Sequence, residues 1–163
     1  MDDLAKMFAD AGGAGVRTYI QSGNVVFCAP PAAAARIAST VAGMIAERFG
    51  FQAPIIVRSA RELARVAAAN PFLPGRGGRD ENFLHVAFLA EAPDQGRIAA
   101  LDPARSPGDD FLVRNREVYL HLPGGVARTR LTNAYFDATL ATTSTMRNWP
   151  TVLKLVEMVQ ATA

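Results

Sequence analysis

The chain has 163 residues, half of them hydrophobic and a fifth charged, with a formal net charge of +2. That length is one ordinary domain or two small subdomains sharing a core, the composition excludes a disordered chain, and so small an excess of Lys and Arg over acids does not imply nucleic-acid binding. Cys28 is the single cysteine, which excludes an internal disulfide and a thiolate metal cluster; with no secretory pattern at the N-terminus and no apolar run near the roughly 20 residues of a membrane span, the expected location is the reducing cytoplasm.

In chain order, Leu4, Met7, Phe8 and Ala11 recur at helical spacing and Gly12-Gly13 stops them, which predicts a first helix over Asp2–Ala11. Val16–Ile20 and Val25–Cys28 are rich in β-branched and aromatic residues on either side of Gln21-Ser22-Gly23-Asn24, the pattern of a hairpin. Pro30-Pro31 ends that hairpin, and Ile37, Val41, Met44, Ile45 and Phe49 form the stripe of a helix over Ala33–Phe49 that Gly50 stops. Ile55-Ile56-Val57 predicts a buried strand within Ala53–Arg58, and Ser59 with Glu62 is a capping-box signature for a helix reaching about Asn70.

Pro71–Asp80, with two prolines and three glycines, is the one long loop expected to be mobile. Beyond it the pattern predicts a strand over Leu84–Leu89, a short helix over Pro93–Leu101, and strands over Phe111–Arg114 and Val118–Leu122 joined by a turn at Asn115-Arg116. Helices over Thr132–Leu140 and Asn148–Gln160 close the chain, Pro150 standing at a tolerated first-turn position. Hairpins alternating with helices favour an α+β sandwich, arranged as a single compact domain over 1–163 with subdomains 1–70 and 80–163.

VRTYIQSGNVVF (16–27), AERFGFQAPIIV (46–57), VYLHL (118–122) and TMRNWPTVLKL (145–155) together resemble the bacterial family known as Domain of Unknown Function 1697. The resemblance implies an α+β fold of two intertwined ferredoxin-like halves with helices packed on antiparallel or mixed sheets. It also implies a strand similar to YVALLRGINVGG ahead of the first helix, which is not found before Asp2; the expectation is a start codon placed upstream, or a truncated variant.

Two polar stretches are the least explained by core packing. Thr145, Arg147, Asn148 and Lys154 surround an expected helix start, where exposed amides attract anions and Arg147 supplies a charge-assisted partner, although Asn148 as cap and Trp149 as core anchor explain much of the same pattern. Strand alternation puts Arg17, Tyr19 and Gln21 on one face, with Ser22 and Asn24 at the turn, residues that also serve turns by binding their own backbone. Arg128 and Arg130 form a small basic loop able to meet a phosphate.

Other chemistry lacks its parts. The glycines of 75–78 are followed by no Gly-Lys-Ser/Thr, so they are not a phosphate loop. His85 and His121 have no acid or histidine at ligand spacing, so no metal and no cofactor is expected. Cys28 has no placed histidine partner, and Asp109-Asp110 point to opposite faces of an extended chain. The leading expectation is therefore a small anionic ligand, phosphate or carboxylate, bound between the Arg17–Asn24 hairpin and the Thr145–Lys154 segment, with catalysis an added assumption. The alternatives are a protein interaction module, which includes self-association through an open sheet edge, and single-stranded RNA binding through Tyr19, Phe27 and Tyr119.

Overall fold

The computed structural model describes residues 1–73, 75 and 79–162. They form two compact units, one of Met1–Ala60 with Leu155–Ala163 and one of Arg61–Lys154. The expected mobile loop falls in part on residues 74 and 76–78, outside the described residues.

In the first unit α1 (Asp2–Asp10), β1 (Ala14–Tyr19), β2 (Asn24–Cys28) and α2 (Pro31–Phe49) follow one another. Met7 and Phe8 of α1 and Ile37, Val41 and Ile45 of α2 are buried together, with Val25, Phe27 and Ile55 packed on them. The four-residue spacing of Ile37, Val41 and Ile45 puts them on one face of α2. The α1 to β1 connection depends on a close approach: a Cβ on Gly13 would lie 2.9 Å from the carbonyl oxygen of Phe8, the same oxygen that accepts the Gly13 N–H. Only glycine lets the chain turn there without displacing Phe8, whose ring sits 5.1 Å from that of Phe27.

β1 and β2 pair antiparallel, with a bulge between Ala14 and Arg17. β1 stops at Tyr19, one residue short of the expected strand, because Ile20 takes the left-handed region at φ 51°. A β-branched side chain in that region is strained, and here it is exposed in the turn. Gln21 consequently lies in the turn and is not the third member of an Arg17/Tyr19 strand face. The expected strand over residues 53–58 is not formed either. Ala53 and Ile55 pack on the α1/α2 core, but the segment has no ladder partner among the described residues, and an apolar run becomes a strand only when a neighbour takes its backbone hydrogen bonds.

The second unit contains α3 (Ala60–Ala69), β3 (Leu84–Leu89), α4 (Gln95–Ala99), β4 (Asp110–Arg114), β5 (Glu117–His121), α5 (Asn133–Leu140), β6 (Ser144–Asn148) and the first turns of α6 (Trp149–Gln160). A single 3-10 turn, Glu81–Phe83, leads into β3. The four strands make one antiparallel sheet in the order β4-β5-β3-β6. Ala87, Leu89, Val118 and Leu120 face Phe136 and Leu140 of α5 in the main core. The opposite face carries Tyr119, whose hydroxyl donates to the Val66 carbonyl of α3 at 3.2 Å, and Arg116 at the head of β5 reaches Glu62 of α3 at 2.6 Å. Thr132 caps α5 by accepting the Tyr135 N–H, and Asn115 takes positive φ between β4 and β5, where the sequence puts a turn.

The largest departure is β6. The sequence reading leads from TMRN straight into a helix, whereas residues 144–148 pair with β3 throughout, from Ser144 opposite Leu89 to Asn148 opposite His85, and α6 starts at Trp149. The α+β class holds in both units. Residues 84–148 have β-α-β-β-α-β connectivity. A correspondence of two four-stranded halves is not seen among the described residues, because the first unit pairs two strands.

Candidate functional site

The two polar stretches singled out in the sequence lie in different units. In the first, Arg17 turns its guanidinium onto the Met158 carbonyl and the Thr162 hydroxyl near the C-terminal end of α6. Asn24 is buried, its amide donating to the Tyr19 carbonyl at 3.3 Å and to the Ser22 hydroxyl at 2.8 Å. These contacts close the hairpin on itself, the behaviour of Asn and Ser in turns generally. Tyr19 is half-buried, and Gln21 and Ser22 are exposed.

In the second stretch, Thr145 and Arg147 are two apart on β6 and therefore share a face. Arg147 donates to the Thr145 hydroxyl at 2.6 Å and to the Met146 carbonyl at 2.8 Å, and burial pulls its pKa below the ordinary arginine value. Asn148 is the helix cap, accepting the Thr151 N–H at 2.9 Å, while Trp149 is buried as a core anchor. Lys154 is half-buried in the second turn of α6. Asn148 thus ends β6 and caps α6, and Thr145 and Arg147 belong to the strand before the helix.

Arg128 and Arg130 are differently placed. Both are exposed, and neither guanidinium has a hydrogen bond or ion pair among the described residues. Their loop is held from beneath by Ser106, 6% exposed, whose hydroxyl accepts the Arg130 N–H at 3.1 Å and donates to Asp109 at 2.6 Å. Thr129 accepts the Leu131 N–H at 3.0 Å. Arg105 joins the same loop: its Nε donates to the Arg130 carbonyl at 2.9 Å, and its guanidinium carbon lies 3.9 Å over the Tyr135 ring. Tyr135 is itself fixed by accepting the Asp102 N–H at 2.8 Å. Arg105 therefore joins Arg128 and Arg130 at a loop whose backbone is pinned by the buried Ser106 hydroxyl and the half-buried Thr129 hydroxyl. Arg105 and Ser106 escape a sequence reading because more than twenty positions separate them from Arg128 and Arg130; the one local signal is the Ser-Pro-Gly-Asp turn at 106–109.

The aromatics named for base stacking are largely committed elsewhere. Tyr119 is 2% exposed and bonded to Val66, and the Phe27 ring packs on Phe8, so the stacking reading is corrected at both, which leaves Tyr19. Burial, and then the Glu117 carboxylate, push the Tyr119 pKa up to about 12. Burial lowers the His85 pKa against the raising effect of its contact with the Phe83 carbonyl. Cys28 is exposed. Among the described residues no three of His, Cys, Asp and Glu gather at metal-binding distance, and no helix is long and apolar enough to cross a membrane.

The structure of the conserved bacterial protein SP0830 from Streptococcus pneumoniae matches this one with a TM-score of 0.72 at 18% identity, over 98% of this chain and 88% of that one. At that identity the likeness is one of fold. No curated protein matches the chain. Residues 1–119 match the model of a family described as "Protein of unknown function (DUF1697)", a span that includes the VRTYIQSGNVVF hairpin; the chain belongs to that family.

Proposed function

We propose that the protein binds a small anionic ligand, a phosphate or a carboxylate, at the loop of Arg105, Arg128 and Arg130. The observation that carries this reading is that the guanidiniums of Arg128 and Arg130 have no partner among the described residues while the backbone beneath them is fixed by Ser106 and Thr129. A planar guanidinium offers paired donors that match a carboxylate or phosphate edge, and a pinned loop limits the entropy lost on binding. The hairpin and β6 candidates are weaker because Arg17 and Arg147 already donate to carbonyls. The test is a thermal-shift screen of the intact chain against inorganic phosphate, pyrophosphate, sugar phosphates, nucleotides and di- and tricarboxylates. The reading expects a dose-dependent rise in Tm that is lost in Arg128→Ala/Arg130→Ala and kept in Arg17→Ala. A rise that survives the double substitution places the ligand elsewhere.

A second reading, a protein interaction role, is supported within the first unit. Phe49 and Phe51 are 49% and 57% exposed with stacked rings 6.1 Å apart. They border a hollow of about 250 Å³ lined also by Met1, Leu4, Met7 and Ile45. Sedimentation equilibrium of the wild type and Phe51→Ser decides whether that apolar patch drives self-association, which it would do in a concentration-dependent way.

A further inference from the structure

Arg105 differs from Arg128 and Arg130 in how it is held. Its Nε donates to the Arg130 carbonyl at 2.9 Å, and its guanidinium carbon lies 3.9 Å over the Tyr135 ring. A bond at one nitrogen and a ring against the group together restrict the torsions of a side chain that is otherwise exposed. The ring and the arginine are tied together a second time at Asp102. Its N–H donates to the Tyr135 hydroxyl at 2.8 Å, and its carbonyl accepts the Arg105 N–H at 3.2 Å. The nearby acids are turned elsewhere: the Asp102 carboxylate accepts the Ala104 N–H at 2.9 Å, and Asp109 accepts from Ser106.

An arginine has five N–H donors. The Arg130 carbonyl takes the one on Nε, and Arg105 makes no other side-chain hydrogen bond or ion pair among the described residues. With Nε committed, the side-on pair of Nε and Nη is closed to an anion, and the end-on pair of Nη1 and Nη2 is open to it. Arg128 and Arg130 have no such supports. The Arg128 stem passes Gly124, where an added Cβ would lie 3.6 Å from Arg128 Cβ and 3.7 Å from its Cδ. Beyond that stem nothing among the described residues fixes the guanidinium of Arg128, nor that of Arg130.

We propose that Arg105 is the specificity-determining residue of the arginine-loop site, taking a terminal carboxylate or phosphate group through Nη1 and Nη2, with Tyr135 as its positioning residue. Arg128 and Arg130 then contribute charge rather than geometry. The inference rests on the anion-binding reading above. It makes the site sensitive to the exchange of arginine for lysine at 105 and far less so at 128 and 130, because an ammonium keeps the charge but lacks the planar pair of donors.

The test is calorimetric titration of the intact chain with pyrophosphate at constant ionic strength. Arg105→Lys is expected to weaken binding about tenfold or more, and Arg128→Lys and Arg130→Lys each several times less. Tyr135→Leu should lose affinity as Arg105→Lys does, Tyr135→Phe should recover most of it by keeping the ring, and Arg105→Lys added to Tyr135→Leu should cost little more. Equal losses from lysine at all three positions, or full affinity in Arg105→Lys, would overturn the inference while leaving the arginine-loop reading in place. A wild type that binds neither pyrophosphate nor a tricarboxylate removes both. If Tyr135→Leu does not fold, nitrogen-detected NMR of the unaltered chain decides. The Arg105 Nε–H should exchange with solvent more slowly than those of Arg128 and Arg130, and its Nη signals should move when pyrophosphate is added; an Arg105 Nε–H that exchanges as fast as the other two overturns the assignment.

Discussion

Replacing Tyr119 with phenylalanine isolates one buried hydroxyl whose effect on stability changes sign with pH. At neutral pH the substitution removes the donor to the Val66 carbonyl, a loss of about 1 kcal/mol for a buried neutral hydrogen bond. The phenol is 2% exposed and its pKa stands at about 12, with burial the larger cause and the Glu117 charge the second. In the unfolded chain a tyrosine ionises near 10, so between roughly pH 10 and 12 the unfolded state releases its proton first and the native state loses stability as pH rises. Two pKa steps correspond to about 2.7 kcal/mol, fully present below pH 10 and gone above about 12. The Tyr119→Phe variant has no proton to lose at this position and carries no such loss. Urea unfolding should therefore find the wild type more stable by about 1 kcal/mol near pH 8 and the variant more stable by a similar or larger margin near pH 12, the two curves crossing between. Phenolate absorbance on the native protein gives an independent reading, with the Tyr119 phenol titrating well above the ordinary tyrosine range. Parallel stability curves, or a Tyr119 phenol that titrates near the ordinary tyrosine value, would refute the reasoning.

Two further substitutions probe the fold. Thr132→Ala removes the cap that accepts the Tyr135 N–H and should cost about 1 kcal/mol by thermal or chemical melting, with Thr132→Asn recovering most of it. Gly13→Ala sets a Cβ 2.9 Å from the Phe8 carbonyl and should cost about 1–3 kcal/mol, whereas Gly43→Ala on α2, where a Cβ meets nothing within 4 Å, should be neutral or slightly stabilising by the helix preference for Ala.

Much of the architecture is legible in local pattern. The helices α1 and α2 follow from apolar stripes ended by Gly, and β3 to β5 from short apolar runs with Asn115 at the turn. What is illegible depends on partners distant in sequence. Residues 144–148 look polar and helix-leading, and β3 makes them a strand by pairing with all five. Residues 53–58 look like a strand, yet no described neighbour pairs with them. The site shows the same division. Arg128 and Arg130 are visible as a basic loop, while Arg105 and Ser106 enter only through folding. Arg17 and Arg147 look available because they sit on strands among polar residues, and the structure gives their guanidiniums to backbone carbonyls, a use that no spacing rule reveals.

Calorimetric titration of the intact chain with pyrophosphate at low and moderate salt tests the anion-binding account most directly. The account expects saturable 1:1 binding that weakens with salt, falls about 10- to 100-fold in Arg128→Ala or Arg130→Ala as charge-assisted contacts are lost, and is unchanged in Arg17→Ala. Binding equal in all four proteins, or no heat with pyrophosphate or with a tricarboxylate, would contradict it.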